Sequence, residues 1–233
     1  MIRFRSVYKL FFVVLLCSAC GLETFYRMEP PRDAVPQNAA DGVVHLPPVS
    51  TDESRKFEFT SVQNASFIAS GTEIYYRIYN SITELQQDAK AINAVNADLK
   101  VDGFYKLQSL NYRRLRIEKN SKKQELLIEG NHRVVLRLTD DGGFSAGLLY
   151  DGVPAAGFSL PLRSTDAPFY FDAAASEHLK NPQTGDADFK NSGSPDTFWY
   201  VNAYAVSVGL LSSTWTRSVS AVLPLGFLTF EKH

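Results

Sequence analysis

The sequence predicts a mainly β fold with one amphipathic helix, preceded by an export leader. Three observations carry this expectation. Segments such as Phe57-Glu58-Phe59-Thr60-Ser61-Val62 alternate apolar and polar side chains at the period of a strand. Turn-forming residues, among them Asn120-Ser121 and Asp151-Gly152, fall between apolar runs where hairpins need them. Strand-like and helix-like stretches do not alternate regularly, which argues against a doubly wound parallel sheet.

At the N-terminus, Arg3, Arg5 and Lys9 precede the apolar run Leu10-Phe11-Phe12-Val13-Val14-Leu15-Leu16, and Cys17-Ser18-Ala19-Cys20-Gly21 follows. A cationic stretch, a short apolar core and small residues make an export signal; the run is too short to cross a bilayer, which takes roughly 20 residues. Its end resembles the lipobox of bacterial lipoproteins, with Ser18 and Ala19 in the small positions and Gly21 after the cysteine. Cys17 stands where leucine is usual, a relaxed form similar to that of spirochaete envelope lipoproteins. The resemblance implies lipid on the Cys20 thiol, cleavage of residues 1–19 and anchoring in the cell envelope. With no aspartate after the cysteine, it implies the outer membrane, on its periplasmic or its surface face. The rival reading is an ordinary signal cut after Ala19, with Cys20 left as a free thiol. Acylation at Cys17 would put bulky Leu15 and Leu16 where small side chains are required.

Both cysteines lie in this processing region, so the mature chain can form no internal disulfide. Its 214 residues, 233 less the leader's 19, suffice for a core that holds without one. The leader carries three of the 24 basic residues and no acid, leaving the mature part 21 against 25, a net of −4. That balance gives no sign of a nucleic-acid partner. Residues 20–55 hold Pro30-Pro31, Pro36 and Pro47-Pro48 without a sustained apolar period and read as a lipidated tether. Extended at about 3 Å per residue, such a tether spans up to roughly 100 Å. An alternative within it is an edge strand at Val43-Val44-His45-Leu46, closed by Pro47.

The domain spans 56–233. Strands are expected at 57–62 and at Thr72-Glu73-Ile74-Tyr75-Tyr76-Arg77-Ile78-Tyr79, rich in β-branched and aromatic residues. A helix follows from Ser81, whose hydroxyl can cap it while Glu84 completes a capping box. Its apolar face is Ile82, Leu85, Ala89, Ile92 and Val95, stepping by three or four. Hairpins are expected at 112–129 around Asn120-Ser121-Lys122-Lys123 and at 132–150 around Asp140-Asp141-Gly142-Gly143, with a further turn at Asp151-Gly152. Short strands at 157–162 and 169–171, helical turns at 173–180 and a polar loop at 181–196 lead to closing strands at 198–208, 218–223 and 225–230.

Ile74-Tyr75-Tyr76-Arg77-Ile78-Tyr79 resembles the third strand of a fibronectin type III domain. Tyr200-Val201-Asn202-Ala203-Tyr204-Ala205-Val206, with Gly209 and Ser218-Val219-Ser220-Ala221-Val222, resembles its last two. The resemblance implies an immunoglobulin-like or fibronectin type III-like β-sandwich whose alternating residues face the space between two sheets. The chain differs in lacking a tryptophan at 57–62 and in replacing a short connection by residues 80–197. That long insertion would hold the amphipathic helix and the hairpins.

Candidate chemistry is sparse. Gly143-Phe144-Ser145-Ala146-Gly147 fits the nucleophile-elbow pattern, but a strand and turn follow where the elbow needs a helix, and His178 lies in a short helical stretch. No catalytic residue is assigned. His45, His132, His178 and His233 show no paired metal spacing, Asp140-Asp141 and Asp186-Ala187-Asp188 lack a full calcium-loop pattern, and no metal or cofactor is assigned. Arg113, Arg114, Arg116, Lys119, Lys122 and Lys123 concentrate positive charge with Glu118 alone against it, a candidate patch for a polyanionic ligand, anionic lipid heads or an envelope protein. The same residues also suit the solvated outer face of an edge strand. Phe198, Trp199 and Trp215 offer a second surface, without the spacing of base stacking. The expected function is a lipid-anchored envelope protein acting as a non-catalytic binding or structural module. The alternatives are an envelope glycan or lipid hydrolase and an accessory subunit of an envelope assembly.

Overall fold

Three long antiparallel strands carry the fold: β3 (Phe67–Tyr79), β12 (Phe198–Leu211) and β13 (Arg217–Glu231). The computed structural model describes residues 27–35, 56–96, 100–139, 145–169, 171 and 181–232. The leader with Cys20, residues 36–55 with the 43–46 segment, the 140–143 turn and the 173–180 helical turns lie outside the described residues.

β12 pairs with β3 on one side and β13 on the other, from Tyr200 opposite Tyr79 to Leu211 opposite Phe67. The segments expected at 218–223 and 225–230 are one strand. Ala203 pairs with Gly226 and Tyr204 with Pro224, so Leu225 is an extra residue in a bulge, with Gly226 at φ +90°. Pro224 is tolerated because β13 has a paired neighbour on one side only. The far edge of β3 is met by β4 (Arg113–Arg114) and by the parallel β11 (Phe189–Lys190).

A second antiparallel sheet runs in the order β1 (Arg32–Val35), β2 (Phe57–Thr60), β7 (Arg133–Arg137), β8 (Gly147–Tyr150), β9 (Val153–Pro154). β5 (Arg116–Lys119), β6 (Lys122–Glu125) and β10 (Phe158–Leu162) form a small third sheet. The turn Asn120-Ser121 between β5 and β6 has φ of 49° and 60°, and Asp151-Gly152 between β8 and β9 has 53° and 83°, left-handed backbones that suit two-residue hairpins. The chain is thus mainly β, with open antiparallel sheets consistent with a sandwich. Residues 80–197, expected as an insertion, supply β7 to β9 of the second sheet, because Val134, Leu136 and Leu148 turn inward on the strand period.

Period two sorts the central sheet's side chains. Ile74, Tyr76, Ile78, Val201, Ala203 and Leu228 face the second sheet, where Phe57, Phe59 and Leu136 meet them. Tyr75, Tyr79, Tyr204 and Val206 face the other way, onto two helices, α1 (Ile82–Asn93) and α2 (Asp102–Ser109). α1 buries Leu85, Ala89 and Ile92 as its spacing predicts, whereas Val95 lies past its end and is exposed; α2, unforeseen, buries Phe104 and Leu107. Gly103 in α2 is required by proximity, since a β-carbon there would stand 2.6 Å from the Asn96 side-chain oxygen. That same Asn96 amide brackets Val222 on the β13 edge, accepting its N–H at 3.0 Å and donating to its carbonyl at 2.7 Å.

Two expectations are corrected. Ser81 is the N-cap of α1, but its side chain makes no cap hydrogen bond; Asp196 accepts the Ile82 N–H at 2.7 Å, while Glu84 pairs with Lys190 at 2.7 Å instead of closing a capping box. A distant carboxylate has replaced a local hydroxyl. Asp196→Ala is therefore expected to cost about 1 kcal/mol, read as a lower urea midpoint, whereas Ser81→Ala should cost far less. The second correction concerns the tether. Residues 27–35 belong to the domain, with Met28, Pro31 and Ala34 buried and β1 paired to β2, because these side chains find apolar partners that composition alone does not reveal.

Candidate functional site

The candidate site grows from one buried acid. Glu73 lies on β3 two residues before Tyr75, so both point to the helix-bearing face, and Glu73 is 3% exposed. Its carboxylate accepts from Arg114 at 2.5 Å, from Arg217 at 2.6 Å and from the Tyr75 hydroxyl at 2.8 Å. Arg114 arrives because β4 pairs Arg114 with Tyr75; Arg217 arrives from the first residue of β13. Arg114 also pairs with Glu125 of β6. Burial, and then the neighbouring Glu73 charge, push the Tyr75 phenol up to about 12, so it stays a donor. Burial disfavours the Arg217 charge, but its bond to Tyr75 and the Glu73 carboxylate outweigh that and raise its pKa.

Above Glu73 opens a cleft of about 380 Å³ whose walls carry Arg113, Arg114, Arg116 and Arg217, with Tyr75, Tyr112 and Gln108. Ser164 and Glu125 complete the rim. Arg116 is held by Asp166 at 2.6 Å. Arg113 spends its Nε on the Ala187 carbonyl at 3.2 Å and, among the described residues, has no carboxylate partner. Two further donors, Arg114 Nε and Ser164 Oγ, are buried and, among the described residues, have no hydrogen-bond partner. Four guanidinium groups and a spare hydroxyl thus share one cleft, groups of the kind that form strong charge-assisted hydrogen bonds to oxyanions.

The six-residue basic patch is thus divided. Arg113, Arg114 and Arg116 line the cleft. Lys123 braces it by donating to the Asp166 carbonyl at 3.0 Å; Lys119 lies over the Phe158 ring at 4.5 Å; Lys122 is exposed on β6. Sequence reasoning missed Glu73, Tyr75, Ser164 and Arg217. A charged residue inside the alternating 72–79 run was the available signal for Glu73; nothing local marks Arg217.

Other constellations resolve as structure. Ser145 is exposed and leads into strand β8, which pairs with β7, so no helix follows it. His132 meets Asp151 at 2.8 Å and stacks on Tyr150, and Ser61 lies near; but the buried Ser61 hydroxyl bonds the Gly130 carbonyl at 2.9 Å and the His132 backbone N–H at 2.9 Å, not the imidazole. The trio braces the β7 and β8 ends. Asp186 and Asp188 both bind Arg163 at 2.7 Å. Among the described residues, no group of three or more His, Cys, Asp or Glu is placed to hold a metal, and no helix is long and apolar enough to cross a membrane.

The fold and this cleft define a mainly β protein with helices on one sheet face and an arginine-walled cleft beside them. No protein-family model, no curated protein and no solved structure matches the chain.

Proposed function

We propose that this chain is a lipid-anchored lipoprotein of the bacterial cell envelope, and that its domain is a non-catalytic binding module whose arginine cleft holds an anionic group of its ligand. The anchor rests on Cys20 and the lipobox before it. The binding role rests on one observation: four arginines from three strands converge on a single cleft, and one of them, Arg113, has no carboxylate partner among the described residues. For the finer likeness to fibronectin type III, the support is the order β3-β12-β13, that of the C, F and G strands, facing β1-β2-β7. One departure is that β7, the first strand to arrive beside β2, precedes the outer β8, the reverse of that family's chain order.

Two measurements test the proposal. Metabolic labelling with a fatty acid should mark the wild type and leave Cys20→Ala unlabelled; equal labelling would remove the anchor. Titration with a sulfated oligosaccharide and with inorganic phosphate should show binding that Arg113→Ala weakens about tenfold, the loss of a charge-assisted contact. Unchanged affinity for both probes would remove the cleft.

A further inference from the structure

We infer that the sandwich end carrying Trp215 and Tyr105 lies directly against the lipid surface in which Cys20 is anchored. This rests on the lipid anchor proposed above and adds an orientation to it. The domain takes hold of the chain early. Met28 is buried, and the Glu29 backbone exchanges hydrogen bonds with the Asn64 side chain, N–H to oxygen at 2.7 Å and amide to carbonyl at 3.2 Å. Between Cys20 and Arg27 lie six residues, 21–26. Seven Cα steps reach at most about 25 Å, less than the roughly 40 Å breadth of a domain of this size. The chain therefore cannot hold the domain clear of the bilayer in an arbitrary orientation. The end where residue 27 emerges must stay closest to the lipid.

That end has the side chains of an interfacial surface. Met28 runs beside Gly209 near the tip of the β12–β13 hairpin, its methyl carbon 3.1 Å from where a β-carbon on Gly209 would stand. Arg27 and Met28 share an open groove of about 590 Å³ with Val101, Tyr105 and Arg217. Trp215, two residues before Arg217 in the hairpin tip, is 69% exposed; Tyr105 is 60% exposed; Ile68, opposite Leu210 at the same tip, is 43% exposed. Amphipathic tryptophan and tyrosine rings favour the level of lipid headgroups, and exposed Arg27 beside them can meet lipid phosphates. An exposed tryptophan ring is unfavourable in water and favourable at a membrane boundary.

The test uses the full chain made in a lipidating bacterium and reconstituted into vesicles of phosphatidylethanolamine and phosphatidylglycerol, with or without bromine on the acyl chains. Brominated lipid should quench about half of the Trp215 emission, and Trp215→Phe, an exposed change that leaves the core intact, should lose that quenched component and keep the signal of buried Trp199. Protein that carries fatty-acid label and sediments with vesicles, yet shows equal quenching in wild type and Trp215→Phe, overturns the orientation and leaves the anchor standing. Protein without label overturns the anchor, and the orientation falls with it.

Discussion

Asp188→Ala is expected to remove a large part of the domain's stability. Asp188 is fully buried, and its carboxylate holds the Arg163 guanidinium through two bonds, at 2.7 and 3.0 Å, while the Tyr76 hydroxyl donates to it at 2.5 Å. Burial and the adjacent carboxylate raise the Tyr76 pKa well above its ordinary value, so this phenol remains a donor at all ordinary pH. Its oxygen in turn accepts the Ser164 backbone N–H at 2.6 Å, tying the cleft rim to the same network. Removing the carboxylate strands the Arg163 charge, 3% exposed, with the half-open Asp186 as its remaining acid. Breaking a buried pair in this way costs about 3–5 kcal/mol, a large part of the roughly 5–15 kcal/mol that holds a domain together. The measurement is urea unfolding followed by circular dichroism. A drop under about 1 kcal/mol would show that Asp186 alone satisfies Arg163. Replacing Arg163 and Asp188 together by apolar residues should cost less than Asp188→Ala, since the charge then left without its partner is that of Asp186, which water reaches.

How much of this was legible in the sequence depends on the range over which each signal acts. Turn chemistry is local, and Asn120-Ser121 and Asp151-Gly152 form hairpins where they were expected. Strand alternation is local too, but β3 and β12 are apolar on both faces because helices cover the side away from the second sheet. The difference is written in Tyr75, Tyr79 and Tyr204, whose phenol oxygens meet polar partners under α1 and α2, against Ile74, Ile78 and Val201 between the sheets. α2 escaped notice because eight residues offer two core positions, Phe104 and Leu107, too few for a period. Long-range pairing was invisible. Asp196 capping α1 lies 114 residues from Ile82, and Arg217 lies 144 from Glu73. Of the basic run 113–123, Arg113, Arg114 and Arg116 therefore line the cleft, while the three lysines lie outside its lining.

Glu73→Gln should separate the cleft's stability from its affinity, moving the two in opposite directions. The substitution keeps size and one acceptor oxygen but removes the charge that Arg114 and Arg217 share. Those side chains are 28% and 42% exposed, so water and Glu125 can take up part of the lost interaction. The stability cost is accordingly about 1–3 kcal/mol, less than for fully buried Asp188. Binding changes with the other sign. Two guanidinium groups previously neutralised by Glu73 now face the cleft, adding a net positive charge a few ångströms from any bound oxyanion. Even at the effective dielectric of a protein surface this should tighten binding of phosphate or a sulfated oligosaccharide about tenfold, close to 1.4 kcal/mol, and steepen its salt dependence. A protein that was merely loosened would bind less well, as Arg113→Ala is expected to. Tighter binding with a lower urea midpoint identifies Glu73 as the acid that holds the arginine wall in place while restraining its charge. Weaker binding with an unmoved urea midpoint would mean that the oxyanion does not sit among these arginines.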